Sequence, residues 1–251
     1  IIRKKLSPLY ANIVDSLELV QDKSILVGPR RYGVLIATNY KIQTLDPKLF
    51  DIPWQERVLS ANIIHPKETI EFHTAYIPPG STNRWKKIET LEGIYKQLAM
   101  QTDTKRILCG DFNTPQDELV KYGAVTFAQK INKLGVPKLK ESFRGGSGKR
   151  WDEGERKILE GLRKYNLIDA YRHIHSIPKK AYSFEFVRRG KVVSQRRFDH
   201  FFCSKECYNF FKQNMKSSSI FSKDEDIRKY SIFKAFKNKN KIDNLFLEFG
   251  V

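Results

Sequence analysis

Short apolar runs, each cut off by glycine, proline or charge, decide what this chain can fold into. None approaches the roughly 18 apolar residues of a membrane-crossing helix, and the first residues show no signal-peptide pattern, so neither a span nor export is expected. Residues 24–27, 33–37, 55–63, 69–77, 107–109, 182–187 and 197–204 have the length and composition of strands. Between them, three segments repeat their apolar side chains at helical spacing: residues 6–20 (Leu6, Leu9, Ile13, Leu17, Val20), 84–100 (Trp85, Ile88, Leu91, Ile94, Tyr95, Leu98) and 152–165 (Ile158, Leu159, Leu162). The sequence predicts a hairpin or close pair of 24–27 with 33–37, and a second pair of 55–63 with 69–77 turning at His65-Pro66-Lys67. Arg188-Arg-Gly-Lys191 reads as a turn. With no internal repeat and no clean linker, residues 1–251 are expected to form one domain. It carries an irregular Lys- and Gly-rich basic insertion at 116–150 and a Lys-rich C-terminal region at 205–251, where ten Lys/Arg up to Lys241 outnumber Glu206, Asp224, Glu225 and Asp226.

Composition narrows the function classes. Hydrophobic residues at 40% are enough for a buried core, so global disorder is excluded. The 46 Lys and Arg against 28 Asp and Glu leave a net charge of +18, a surplus that suits a polyanion. Nucleic acid, DNA or RNA, is the first such partner and an anionic membrane surface the second; a merely soluble basic protein is the plain alternative. Three cysteines cannot all pair within one chain. Cys109 and Cys203 lie in apolar runs and read as small buried hydrophobes, while Cys203 and Cys207 lack the further Cys or His of a zinc site. A reducing, intracellular compartment fits, cytoplasm or a eukaryotic nucleus.

Chemistry concentrates in Arg106-Ile-Leu-Cys-Gly-Asp-Phe-Asn-Thr-Pro115. An apolar strand runs into Gly110; Asp111 and Asn113 follow two apart, so at strand spacing they leave on one side. A carboxylate beside an amide that both donates and accepts suits gripping a phosphate and a water together; an Asx turn closing a strand is the plain reading. Tyr76 ends a strand just before Pro78-Pro79-Gly80, where its hydroxyl can meet a phosphate oxygen or simply pack. Asp199, in Arg197-Phe-Asp-His200, is costly to bury unless paired; it orients a partner or is bridged, with Arg197 on its own face. Gly145-Gly-Ser-Gly-Lys-Arg150 faintly resembles a P-loop, but Phe143 and Arg150 stand at its required Gly and Ser/Thr positions, leaving a flexible basic loop.

In this order the motifs resemble one family, the endonuclease/exonuclease/phosphatase superfamily on its exonuclease III-like, abasic-site endonuclease side. The matching pieces are Tyr32-Gly-Val-Leu-Ile36, Glu56-Arg-Val58, Thr74-Ala-Tyr-Ile-Pro78, Leu108-Cys-Gly-Asp-Phe-Asn113, Leu167-Ile-Asp-Ala-Tyr-Arg172, Tyr182-Ser-Phe184 and Arg197-Phe-Asp-His-Phe-Phe-Cys-Ser204. The resemblance implies an α+β fold, a four-layered α/β/β/α sandwich of two mainly antiparallel sheets flanked by helices, with the site at one end where the sheets meet. It also implies metal-assisted phosphodiester hydrolysis with magnesium or manganese. Asp111 would orient or deprotonate the attacking water, Asn113 would hold phosphate and water, Tyr76 would contact the phosphate, and Asp199 would orient a catalytic His.

Three departures stand beside the match. The family's opening Asn strand and metal-binding Glu would precede Leu6, so a chain beginning Ile1-Ile2-Arg3 reads as a fragment whose metal ligands the sequence does not name. The closing Ser-Asp-His has its best slot at residues 228–236, where Lys229 and Tyr230 stand for Asp and His. His200 falls on the opposite strand face from Asp199, and His73, His173 and His175 take no catalytic role. Three functions follow as expectations: a metal-dependent nucleic-acid hydrolase, a binding module of the same fold that no longer cuts, or a phosphatase of inositol-phosphate or phospholipid type.

Overall fold

The computed structural model describes residues 2–175, 177, 181–214 and 246–249. In chain order the elements are α1 (Ile2–Leu6), β1 (Asn12–Asp15), α2 (Ser16–Leu19), β2 (Val34–Thr38), β3 (Lys41–Thr44), β4 (Val58–Ile64), β5 (Thr69–Tyr76), α3 (Gly80–Asn83), α4 (Lys86–Leu98) and β6 (Lys105–Asp111). Six short strands follow: β7 (Asp117–Leu119), β8 (Gly123–Val125), β9 (Gln129–Ile131), β10 (Pro137–Leu139), β11 (Ser142–Phe143) and β12 (Gly146–Ser147). They lead to α5 (Gly148–Leu159), β13 (Leu167–Asp169), α6 (Ala170–Ile174), β14 (Phe184–Arg188), β15 (Lys191–Arg196), β16 (Asp199–Ser204), α7 (Lys205–Asn214) and β17 (Phe246–Phe249).

The main sheet has six strands in the order β13-β16-β6-β5-β4-β3. Every pairing in it is antiparallel except β5 with β6, which α4 joins as a crossover. A smaller sheet, β1-β2-β17, stacks on one face. Strand alternation sorts the core. Ile107 and Cys109 of β6, with Phe72 of β5, point toward Val34 and Ile36 of β2. Leu108 and Ala75 point the other way, onto Ile88, Leu91 and Ile94 of α4 and Trp151 and Ile158 of α5. The fold is therefore α+β with two stacked sheets and helices covering the outer face of the larger one. Arg106 ties α4 to the sheet: its guanidinium, 2% exposed at the residue level, donates to the carbonyls of Leu98, Met100 and Tyr165.

Several local expectations are corrected. Residues 6–20 are not one helix. The β-branched Ile13 and Val14 pair with Ala37 and Ile36 in a strand, and the Asp15 carboxylate then accepts from Glu18 N to start the short α2. Residues 24–27 form no strand and no hairpin with β2, because Asp22 caps a 3-10 turn at Lys23–Ile25 and β1 takes the pairing edge. The turn at 188–191 is the tip of a whole hairpin, β14 with β15, whose Arg189 and Gly190 have φ of 50° and 72°. Residues 117–147 make three two-stranded ribbons. The basic Gly-rich segment there, expected as a flexible loop, pairs as β11 with β12, and Ser147 caps α5 by accepting from Arg150 N. The segment at 228–236, with Lys229 and Tyr230, lies outside the described residues.

Candidate active site

Three strands carry one row of side chains at the mouth between the sheets. Tyr76 of β5 is in register with Asp111 of β6, and Asp111 is in register with Asp199 of β16. Their parity is that of Phe72, Cys109 and Cys203, so all three side chains leave on the face toward the smaller sheet. Gly110 permits this packing. Its φ is +144°, and a Cβ there would stand 1.9 Å from the carbonyl oxygen of Ala75. Past the strand, Ile77 N donates to Asp111 O at 2.8 Å and Phe112 N to Phe198 O at 2.8 Å, which fixes the row's height on all three strands.

Asn113 stands apart from the row. The strand ends at Asp111, and Asn113 turns left-handed with φ 50°. Its backbone N–H donates to the Asp111 carboxylate at 2.8 Å, and its side-chain amide donates to Ile77 O at 2.9 Å. The structure thus brings Tyr76, Asp111 and Asp199 together and joins Asn113 to them through an Asx turn, the plain reading of the motif.

Electrostatics set the row apart from ordinary surface acids. Burial, then the neighbouring Asp199 charge, push the Asp111 carboxyl up to about 7, against the Asn113 N–H and the more distant Lys87 and Arg57. Burial also raises Asp199, opposed by the Ser183 hydroxyl. That hydroxyl oxygen in turn accepts from Phe198 N and Asp199 N at 3.1 and 3.0 Å, which explains the Tyr182-Ser-Phe184 motif beside this strand. Burial, then Asp111, raise the Tyr76 phenol.

Arg197 does not balance Asp199. It precedes β16 and so escapes strand alternation, and its guanidinium bridges Asp169 at 2.7 Å and Glu118 at 2.9 Å. Arg172 holds the same Glu118 at 2.6 Å. His200 lies with this group on the helix-facing side, Nε2 on Thr114 O at 2.8 Å and Nδ1 3.4 Å from Asp169. His73 is enclosed between Ser60 and Glu71, 2.8 Å from each.

Residues outside the expected set complete the surroundings. Arg57 is fully buried, with its guanidinium 4.5 Å from the Tyr76 ring centroid and its Nε and Nη1 unpartnered. The motif Glu56-Arg-Val58 held it in plain sight, but nothing in that triplet says which side chain turns inward. Glu56 is occupied by Arg30 at 2.8 Å. Lys87, 1% exposed, reaches Glu155 at 2.5 Å and Asn113 O at 2.7 Å. A signal for Lys87 existed: it is in phase with Leu91, Ile94 and Leu98 on the apolar stripe of α4.

The donor set fits a divalent cation in a restricted sense. Asp111 and Asp199 are two desolvated carboxylates side by side, and their raised pKa values are what a cation would reverse. Magnesium is commonly held by one or two carboxylates, with water and substrate phosphate completing the shell. Among the described residues no group of three or more His, Cys, Asp or Glu converges as a metal site. All three cysteines are buried and unbridged. Among the described residues no helix is long and apolar enough to cross a membrane.

The fold and site together define a two-sheet α+β domain with an acidic, tyrosine-flanked row at the sheet mouth. No protein-family model matches the sequence, and neither does any curated protein. Solved structures similar to the chain include an AP endonuclease from Archaeoglobus fulgidus, at 17% identity over 86% of this chain and 74% of that one, with a TM-score of 0.46. TDP2 from D. rerio complexed with a single-strand DNA product is similar at 10% identity, covering 81% and 65%, TM-score 0.44. An endonuclease/exonuclease/phosphatase family protein from Leptotrichia buccalis C-1013-b is similar at 17% identity, covering 68% and 53%, TM-score 0.37. The chain therefore spans between about half and three quarters of the lengths of these structures.

Proposed function

We propose that this chain is a phosphodiester hydrolase domain acting on nucleic acid with the help of magnesium or manganese. The observation that carries the reading is the row Tyr76–Asp111–Asp199 across three adjacent strands. Asp111 and Asp199 would hold the cation, which when bound supplies charge neutralisation to a phosphate and acidity to a bound water. Asp111 would orient the attacking water or take its proton from its place at the centre of the row. Tyr76, its ring against Arg57, offers its hydroxyl to a phosphate oxygen. Asn113 sets the height of Asp111 through its backbone N–H. Asp199, opposite Asp111, keeps the orienting role. The +18 charge favours a long polyanion over a single headgroup.

A binding module that keeps this fold without cutting is favoured by one observation, the commitment of the Asn113 amide to Ile77 O. One experiment separates the readings. The full chain is incubated with Mg²⁺ or Mn²⁺ and labelled abasic-site, single-stranded and duplex oligonucleotides. Metal-dependent cleavage that falls at least about 100-fold in Asp111→Asn supports the hydrolase. Cleavage that survives the substitution removes Asp111 from the mechanism, and salt-sensitive binding without cleavage gives the module instead.

A further inference from the structure

Lys130 of β9 and Lys138 of β10 sit directly opposite one another on a two-stranded ribbon. Like charges in that position are destabilising. Residues 129–140 add Lys133 and Lys140 and contain no Asp or Glu to offset them. Lys140 serves the fold, its Nζ donating to Phe127 O at 2.8 Å. Lys130, Lys133 and Lys138 are exposed and make no ion pair among the described residues. Three unbalanced cations on two strands of three residues each are complementary to a polyanion.

The turn between the strands holds one apolar side chain outward. Asn132 organises it: Oδ1 accepts from Leu134 N at 2.9 Å and from Val136 N at 3.0 Å. Its backbone N–H donates to Val136 O and its carbonyl accepts from Gly135 N, both at 3.0 Å, with Gly135 at φ 73°. Leu134 stands on this braced turn 86% exposed. The root of the ribbon is fixed as well. Gln129 Oε1 accepts from Thr126 N at 3.1 Å and from Arg156 of α5 at 3.0 Å, and Lys140 N donates to Ala128 O at 2.9 Å. The ribbon leaves the body beside Phe127, whose ring lies 6.2 Å from that of Phe198, the residue before Asp199. It is thus rooted at the mouth of the sheets, and at about 3.3 Å per residue it extends roughly 10–15 Å from there.

We propose that the β9–β10 ribbon seats in the groove of a nucleic-acid duplex, with Lys130, Lys133 and Lys138 on backbone phosphates and Leu134 packed against base edges. A two-stranded ribbon fits the major groove of a duplex, which is about 12 Å wide. Phosphate contacts fix the register and the apolar tip meets the bases. A lipid surface would ask for a broad apolar face, whereas the tip offers one leucine set among lysines. The proposal deepens the nucleic-acid reading above and rests on it for the identity of the polyanion. It adds that the substrate is double-stranded for a few base pairs to one side of the reacting phosphate.

Fluorescence anisotropy with the full chain tests this on a labelled duplex, the matching single strand and phosphatidylserine vesicles, across a salt series. Replacing Lys130, Lys133 and Lys138 together by Gln should lower the salt slope on the duplex by about 2–3, near one for each phosphate released. The same change at three exposed lysines elsewhere, Lys41, Lys48 and Lys164, should lower it by less than about one. Leu134→Ala, at a site too exposed to disturb the fold, should weaken duplex binding about fivefold and leave the single strand and the salt slope unchanged. An equal loss of slope in the two lysine triples, or unchanged duplex affinity in Leu134→Ala, overturns the ribbon contact. So does tighter, Leu134-dependent binding to the vesicles, which would make the tip a lipid anchor. The two readings fail separately. Asp111-dependent cleavage of a duplex that is indifferent to the ribbon substitutions removes the ribbon and leaves the hydrolase. Ribbon-dependent duplex binding without cleavage of any oligonucleotide leaves the ribbon and removes the hydrolase.

Discussion

Asp111 and Asp199 sit directly opposite one another on two hydrogen-bonded strands, one carboxylate facing the other at the mouth of the sheets. Like charges opposed across a sheet are destabilising, and here burial adds to the repulsion. In metal-free protein, Asp111 should therefore titrate near 7, and carboxyl-selective NMR should show the resonance moving well below that when Mg²⁺ is added. The sign for stability follows. The folded state holds a proton that the unfolded state releases near 3.8, so stability falls as pH rises from about 4 toward 7. Asp111→Asn removes that penalty and should stabilise the fold at pH 8 by on the order of 1–3 kcal/mol in urea unfolding. A destabilised Asp111→Asn would mean that the pair is already compensated.

Glu155 and Lys87 form the buried ion pair on the other side of the sheet, at 0% and 1% exposure. Glu155 also satisfies Trp151 Nε1 and Phe127 N. Removing the acid strands a buried ammonium and two N–H groups, whereas removing Lys87 leaves the carboxylate two donors. Glu155→Ala should cost about 3–5 kcal/mol and Lys87→Met clearly less. Denaturant titration of both variants checks the order, and the reverse order would show that Lys87 is held chiefly by its bond to Asn113 O.

Much of this arrangement was legible in the sequence where local pattern and tertiary pairing agree. The Gly110 break, the apolar run of β6 and the two-residue spacing located Asp111, and alternation placed His200 on the face away from Asp199. The spacing misled at Asn113, because strand parity ends where φ turns positive. It misled also at Arg197, which precedes β16 and so lies outside that strand's alternation. Residues 12–15 read as helix since Ile13 falls in phase with Leu9 and Leu17, yet β2 offered an open edge that won over spacing. Arg144 carried no periodic signal at all. Its left-handed backbone, φ 51°, belongs to the turn between β11 and β12, where Trp85 lies against Gly146 and Lys140 O against Gly148.

Glu118 links three chain segments through Arg172 and Arg197. Burial alone would raise its pKa, but the Arg172 hydrogen bond and the Arg197 charge outweigh it and hold the carboxyl at about 2, below its ordinary 4.5. Its contribution to stability is complete above pH 4.5 and disappears as pH falls toward 2. Acid unfolding followed by circular dichroism should therefore be steep in that window. Glu118→Gln should flatten it and lower stability at pH 7 by about 2–4 kcal/mol, because the buried Arg197 and the half-buried Arg172 lose their shared acceptor. An unchanged acid transition would assign the window to other carboxylates.

Gly110 is where fold and chemistry depend on one another most directly. It pairs with Ala75 on one side and His200 on the other, and a methyl group would fall 1.9 Å from Ala75 O, a backbone atom that cannot swing aside. Accommodating alanine means separating β5 from β6 at the level of Tyr76 and Asp111, and it also forces φ +144° on a residue with a Cβ. Gly110→Ala should lose about 3–5 kcal/mol of stability. In whatever fraction still folds, separating β5 from β6 admits water to Asp111, so its titration should fall from near 7 toward the ordinary carboxylate range. Stability and titration measured on the same sample make the point decisive: a stable Gly110→Ala protein whose Asp111 still titrates near 7 would show that the row does not depend on this close strand contact.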